Sequence, residues 1–155
     1  MLEVLIIIYG MTQKINFHVD EYLTYMLANN EGGITLSIDE MKTYNGDELF
    51  VNSLTANSEH RFDFDIVWNN QTNDTHPPLY YVLINVVCSI FPGQFSKWFG
   101  LIVNLVFFIL SAILVYKVSY KIFGNFVQSA ATLALWGFTV GTVNTAIFIR
   151  MYMML

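Results

Sequence analysis

Two short polar motifs hold the residues best suited to chemistry in this chain. The first is His18-Val19-Asp20-Glu21, and the second is Asp74-Thr75-His76-Pro77-Pro78-Leu79-Tyr80-Tyr81. Carboxylates and imidazoles can move a proton, or hold a phosphate or a metal ion, if the backbone keeps them still. Neighbouring side chains on a helix point about 100° apart, so Asp20 and Glu21 do not form a dyad sharing one proton. One can face a reactant while the other takes a structural partner. A carboxylate partly withdrawn from water is a stronger base, which suits removal of a proton from a hydroxyl. The same residues also fit a plain helix start, with Asp20 as the cap and acids in the first turn, where the helix dipole favours them. His76 stands before two prolines, which impose an extended entry and then a helix start. That stiff setting can hold an imidazole to orient a carboxylate, contact a phosphate or ligate a metal. A surface histidine in a helix-entry turn carries the same signature. Asp74 sets up that turn.

Other candidates are weaker. Arg150, followed by Met151 and Tyr152, closes an apolar stretch; it suits a phosphate contact or a pair with Asp20 or Glu21. An interfacial anchor with Tyr152 in an aromatic belt is the simpler alternative, and Tyr80 and Tyr81 share that ambiguity. A divalent ion held by His18, Asp20, Asp74 and His76 is chemically possible, although the spacing matches no standard ligand motif. No other cofactor is called for. His18 and His60 lack the rigid setting of His76. Cys88 is the sole cysteine, in the apolar run Leu83–Phe91; it reads as a buried thiol.

The elements that must position these residues belong to a membrane protein. The 155 residues are 55% hydrophobic and only 12% charged, against about 25% charged in an ordinary soluble domain. Every acidic residue except Glu3 lies between Asp20 and Asp74, so the net charge of −5 describes one loop. It excludes nucleic acid, whose recognition needs a basic footprint. The run Val4–Tyr9 is too short to span a bilayer, which takes about 20 apolar residues. With Glu3 and no basic residue before it, it is a poor signal peptide. Residues 1–17 are expected to be the outer end of a first membrane span.

Residues 18–78 are expected to form an external acidic loop with a juxtamembrane helix over Asp20–Leu27, ended by Asn29-Asn30-Glu31-Gly32-Gly33. Within it, Ile34–Asn73 is expected to be exposed and irregular, with one helix or strand around Glu48–Leu54. Residues 79–92 predict an interfacial helix. Residues 97–117 and 126–149 predict spans, the second with Gly137 and Gly141 spaced for close packing, and 150–155 return to the outside. The short link with Lys117 and Lys121 belongs in the cytoplasm by the positive-inside rule. That puts Lys97, Arg150 and the acidic loop outside. The expected class is an all-α polytopic membrane protein with about three transmembrane helices, in the cytoplasmic membrane.

In their order, these features resemble the N-terminal part of bacterial polytopic glycosyltransferases of the protein O-mannosyltransferase and aminoarabinose-transferase superfamily, with the GT-C fold and family 39-like. The resemblance rests on Val19-Asp20-Glu21 after the first span, then Asp74-Thr75-His76-Pro77-Pro78-Leu79-Tyr80-Tyr81. Two spans with a short basic link follow, and then Ile149-Arg150-Met151-Tyr152. It implies transfer of a sugar from a polyprenyl-phosphate donor to an acceptor hydroxyl outside the membrane. Asp20 matches the catalytic acid residue, with Glu21 supporting it, and His76, Tyr80 and Arg150 become candidate substrate contacts. The O-mannosyltransferases carry a lysine shortly after their HPPL motif, where this chain has Tyr80-Tyr81, which argues against protein O-mannosylation. Such enzymes have many more spans, so the chain is expected to be a fragment, inactive alone. The competing expectation is a non-catalytic membrane module whose acidic loop or helices bind a partner subunit.

Overall fold

Helices account for nearly all the regular structure. A computed structural model describes residues 2–36, 38, 41–72 and 74–155, and among these no strand occurs. In chain order the helices are α1 (Leu2–Gln13), α2 (Val19–Asn29), α3 (Gly46–Leu54), α4 (Phe64–Thr72), α5 (Pro78–Ile90), α6 (Lys97–Phe123), α7 (Phe126–Gly137) and α8 (Val140–Ile147). A short 3-10 turn, Met151–Met153, follows. The chain divides into two compact units, Phe17–Gly100 and Met1–Asn16 with Leu101–Leu155.

In the unit Phe17–Gly100, α2 packs against α3, α4 and α5, and α4 also packs against α5. Tyr25, Ala28, Leu54, Val67, Tyr80, Tyr81 and Ile84 fill the core, all at most 1% exposed. Each large side chain so buried contributes about 1.5–3 kcal/mol. The last carbonyls of a helix have no partner within it, and at the end of α2 three asparagines resolve this. Asn70 of α4 donates to Leu27 O (3.0 Å) and Asn30 O (2.8 Å). Asn85 of α5 donates to Ala28 O (2.9 Å), and Asn29 itself donates to Leu54 O at the end of α3 (3.0 Å). Gly33, at φ +60°, lies so close that a Cβ there would sit 3.1 Å from the Asn70 side-chain oxygen. Tyr25 ties α2 to the start of α6: its hydroxyl donates to Ser96 O (3.0 Å) and accepts from the Gly100 N–H (2.9 Å). Burial raises the pKa of that phenol. Gln71 is the exception to this good pairing, since neither polar atom of its buried amide has a hydrogen-bond partner among the described residues.

This unit departs from the expected irregular loop. The element expected near Glu48–Leu54, left open as helix or strand, is the helix α3, but α4 is an additional helix. Its polar residues Asn70 and Gln71 are turned inward, so polarity marked burial here rather than exposure. The loop expected at Ser37, Asp39, Glu40 and Asn73 lies outside the described residues. The expected helix after the prolines is present as α5, with Pro78 in its first turn, where the missing N–H leaves nothing unpaired.

In the other unit, α1 packs on α8 through Gly10, where a Cβ would come within 2.6 Å of the Ile147 side chain. Asn104 on α6 caps α8 by donating to Ala146 O (3.1 Å) and Phe148 O (2.6 Å). Phe108 stacks on Trp136 of α7 with ring centres 5.3 Å apart. Outside these contacts the surface is apolar: Leu110, Leu114, Ile122, Val127 and Leu135 are all more than half exposed.

Among the described residues one helix, α6, is long and apolar enough to cross a membrane; α7 and α8 pass the same test only as a pair, and they are bent by 59°. The span expected at 97–117 thus continues to Phe123, which places Lys117 and Lys121 inside α6 and leaves Gly124-Asn125 as the link. The span expected at 126–149 is broken at Phe138-Thr139, where the Thr139 hydroxyl caps α8. The break also separates Gly137 from Gly141, so they form no common stripe. Gly137 is met by Glu3, whose Cγ would lie 2.8 Å from an added Cβ, and nothing lies within 4 Å of Gly141.

Candidate functional site

The start of α2 sorts the two adjacent acids into different roles. His18, in extended conformation, is the N-cap, and its Nδ1 accepts from the Asp20 N–H at 3.2 Å. The Glu21 carboxylate reaches back and accepts from the His18 N–H at 2.8 Å, completing a reciprocal capping box. Asp20 was expected to be the cap. Histidine displaces it because Nδ1 sits close enough to its own backbone to serve as the acceptor that serine or aspartate usually supplies. Glu21 is fully buried, whereas the Asp20 side chain is 36% exposed, with Oδ2 3.5 Å from His18 Nδ1. The two contacts of Nδ1 belong to different protonation states. It can accept from the Asp20 N–H only when bare, and it attracts the Asp20 carboxylate as an ion pair only when protonated.

The second motif also forms a local pair. His76 Nδ1 lies 2.9 Å from both carboxylate oxygens of Asp74, and the Asp74 Oδ1 also accepts from the Thr75 N–H at 2.7 Å. Asp74 therefore does more than set up the turn. A carboxylate can only accept, so Nδ1 carries the hydrogen and Nε2 is left to act on a ligand. Both side chains are about one-quarter exposed. The sign in the sequence was the Asp-x-His spacing, which lets a turn fold the imidazole back on the carboxylate.

The remaining candidates stand elsewhere. Tyr80, expected among the substrate contacts, is fully buried beside Tyr81, their rings edge to face at 6.1 Å; it packs the core instead of facing a ligand. Arg150 belongs to the other unit. It is buried, caps the 3-10 turn Met151–Met153, and donates its backbone N–H to Phe148 O at 2.8 Å. Among the described residues no group of three or more His, Cys, Asp or Glu side chains is arranged to hold a metal ion. His18, Asp20, Asp74 and His76 therefore do not converge on one ion. Burial pushes the Cys88 thiol up to about 11, consistent with an inert core residue.

The geometry thus offers an accessible carboxylate at a capped helix start and a histidine oriented by its own aspartate. The first can accept a proton, and the second can donate to or accept from a ligand. No family model matches the chain, and neither a curated protein nor a solved structure matches it.

Proposed function

We propose that this chain contributes the external-loop wall of a membrane glycosyltransferase of the GT-C kind, which moves a sugar from a polyprenyl-phosphate donor to an acceptor hydroxyl. The observation that carries the reading is the division of labour at α2. Glu21 is committed to the helix cap, and Asp20 next to it keeps a water-accessible carboxylate on a rigid first turn. Asp20 is assigned as the general base. It takes the proton of the acceptor hydroxyl as that oxygen bonds to the anomeric carbon, and the bond from carbon to phosphate oxygen breaks with its electron pair leaving on the phosphate. A phosphate is already a good leaving group, so one carboxylate and a few contacts to the departing charge suffice. His76, fixed by Asp74, is assigned as a contact to the phosphate or the sugar.

In this reading the protein is multi-pass in the cytoplasmic membrane. α6 is a full span, α1 and the bent pair α7–α8 are membrane-embedded, and α5 lies at the interface. The acidic unit Phe17–Gly100 is extracytoplasmic, because Lys117 and Lys121 near the other end of α6 favour the cytoplasm.

The test is transfer of labelled sugar from polyprenyl phosphate in membranes of cells carrying the gene in its own reading frame. Asp20→Asn lowers transfer about 10²- to 10⁴-fold and leaves membrane insertion and helix content intact. Glu21→Ala instead destabilises the start of α2 by about 0.5–2 kcal/mol, seen as faster amide exchange there. Wild-type transfer by Asp20→Asn rejects the assignment of Asp20, and no transfer by the unsubstituted protein leaves a non-catalytic membrane module as the better reading.

A further inference from the structure

A polar cleft lies beside the end of α2, in the unit Phe17–Gly100. It comprises two adjoining hollows of about 330 and 380 Å³ that share Asn52, Thr55 and Asn57 as lining residues. The end of α2, from Asn29 to Gly32, forms one wall, and the turn from Asn57 to His60 forms another. The bond from Asn29 to Leu54 O fixes the end of α3 against α2 and so holds Thr55 in the floor. Glu31 Oε1 lies 3.4 Å from His60 Nε2, both at the lining of the same hollow. Thr55 is 5% exposed, yet among the described residues its hydroxyl makes no hydrogen bond. Thr55 lines both hollows, so its hydroxyl is within reach of a ligand held there.

We propose that this cleft binds a neutral, hydroxyl-rich ligand, namely a short oligosaccharide segment. Carboxamides and hydroxyls each offer both donors and acceptors, which matches the alternating donor and acceptor character of sugar hydroxyls. An apolar ligand would take water from Asn52 and Thr55 without replacing its hydrogen bonds, and apolar pockets are lined differently. An anionic ligand meets the wrong field: between Phe17 and Gly100 there are eleven acidic residues against Lys42, Arg61 and Lys97. A metal ion finds no ligand cluster among the described residues. The inference does not depend on sugar transfer; if both hold, the cleft is a site for an acceptor glycan.

The experiment measures binding, not transfer, so the two readings fail separately. The full chain in lipid nanodiscs is titrated with maltotriose, mannotriose and chitotriose, with trigalacturonate as the anionic counterpart and a neutral tripeptide as the alternative ligand. At least one neutral trisaccharide binds, and trigalacturonate binds roughly tenfold more weakly. Thr55→Val and Asn52→Ala each weaken the neutral sugar about fivefold to tenfold. Asn52 is exposed, so its replacement keeps the fold and decides the matter if Thr55→Val does not fold. The proposal is overturned if no neutral trisaccharide binds at about 10 mM, if both folded variants bind as wild type does, or if only the tripeptide binds.

Discussion

The unit Phe17–Gly100 turns asparagines inward, while the unit built on α1 and α6–α8 turns leucines and isoleucines outward. In the first, Asn29, Asn70 and Asn85 are buried and bonded to backbone carbonyls. In the second, the long helix α6 has only a third of its most apolar stretch buried. The same principle governs both, because an unpaired polar group in an apolar place is expensive. Where the chain must end helices inside a core, it supplies amides to close them. Where its helix is continuous, the backbone is satisfied internally and the side chains can face an apolar medium.

The sharpest way to break this contrast is to charge one outward face of each unit. Leu110→Lys, at the middle of α6, should raise the free energy of membrane insertion by about 2.5–3.5 kcal/mol. Met41→Lys, also outward but in the acidic unit, should change it hardly at all. A glycosylation-mapping insertion assay checks both, and equal responses would end the distinction between the units. A smaller effect comes from Asn70→Leu, which preserves bulk but strips two carbonyls of their donor. It should destabilise the end of α2 by about 2 kcal/mol, read as faster amide exchange from Leu27 to Gly33 with α6 unaffected.

The smallest effect is pH dependence at Cys88. Burial raises its thiol from 9.0 to about 11, so the folded state holds the proton more tightly than the unfolded chain. The stabilisation from this site is therefore complete below pH 9 and is lost as pH rises toward 11. At pH 9 iodoacetamide should alkylate Cys88 roughly tenfold or more slowly than a cysteine in the unfolded protein, as followed by mass spectrometry. Equal rates would mean that the α2–α5 core is open to solvent.

Where hydrophobic periodicity or proline chemistry controls the backbone, the elements were legible in the sequence. The start of α5 follows from Pro77-Pro78, and α6 from its long uncharged run. The extent of α6 was misjudged because lysines at a helix end stay helical when their stems lie along the apolar surface. α4 escaped notice because Asn69-Asn70-Gln71 mimics loop composition; only the tertiary structure reveals that the Asn70 amide faces carbonyls at the end of α2. At the site, Asp20 is accessible and Glu21 buried, and the histidine cap that sets them apart did not follow from residue preferences. Tyr80 showed the opposite failure. Its side chain type suits a binding surface and a core equally, and burial alone separates the two.

The hydroxyl of Tyr25 has a consequence for the order in which the chain folds. Starting a helix is its slow step, since several residues must be fixed before the first backbone bond forms. α2 leaves the ribosome well before α6, and Tyr25 then presents one oxygen that can accept the Gly100 N–H while donating to Ser96 O. With that oxygen in place first, the first turn of the longest helix has a template. Tyr25→Phe should then slow the appearance of α6 in stopped-flow refolding, and an unchanged rate would reject this order.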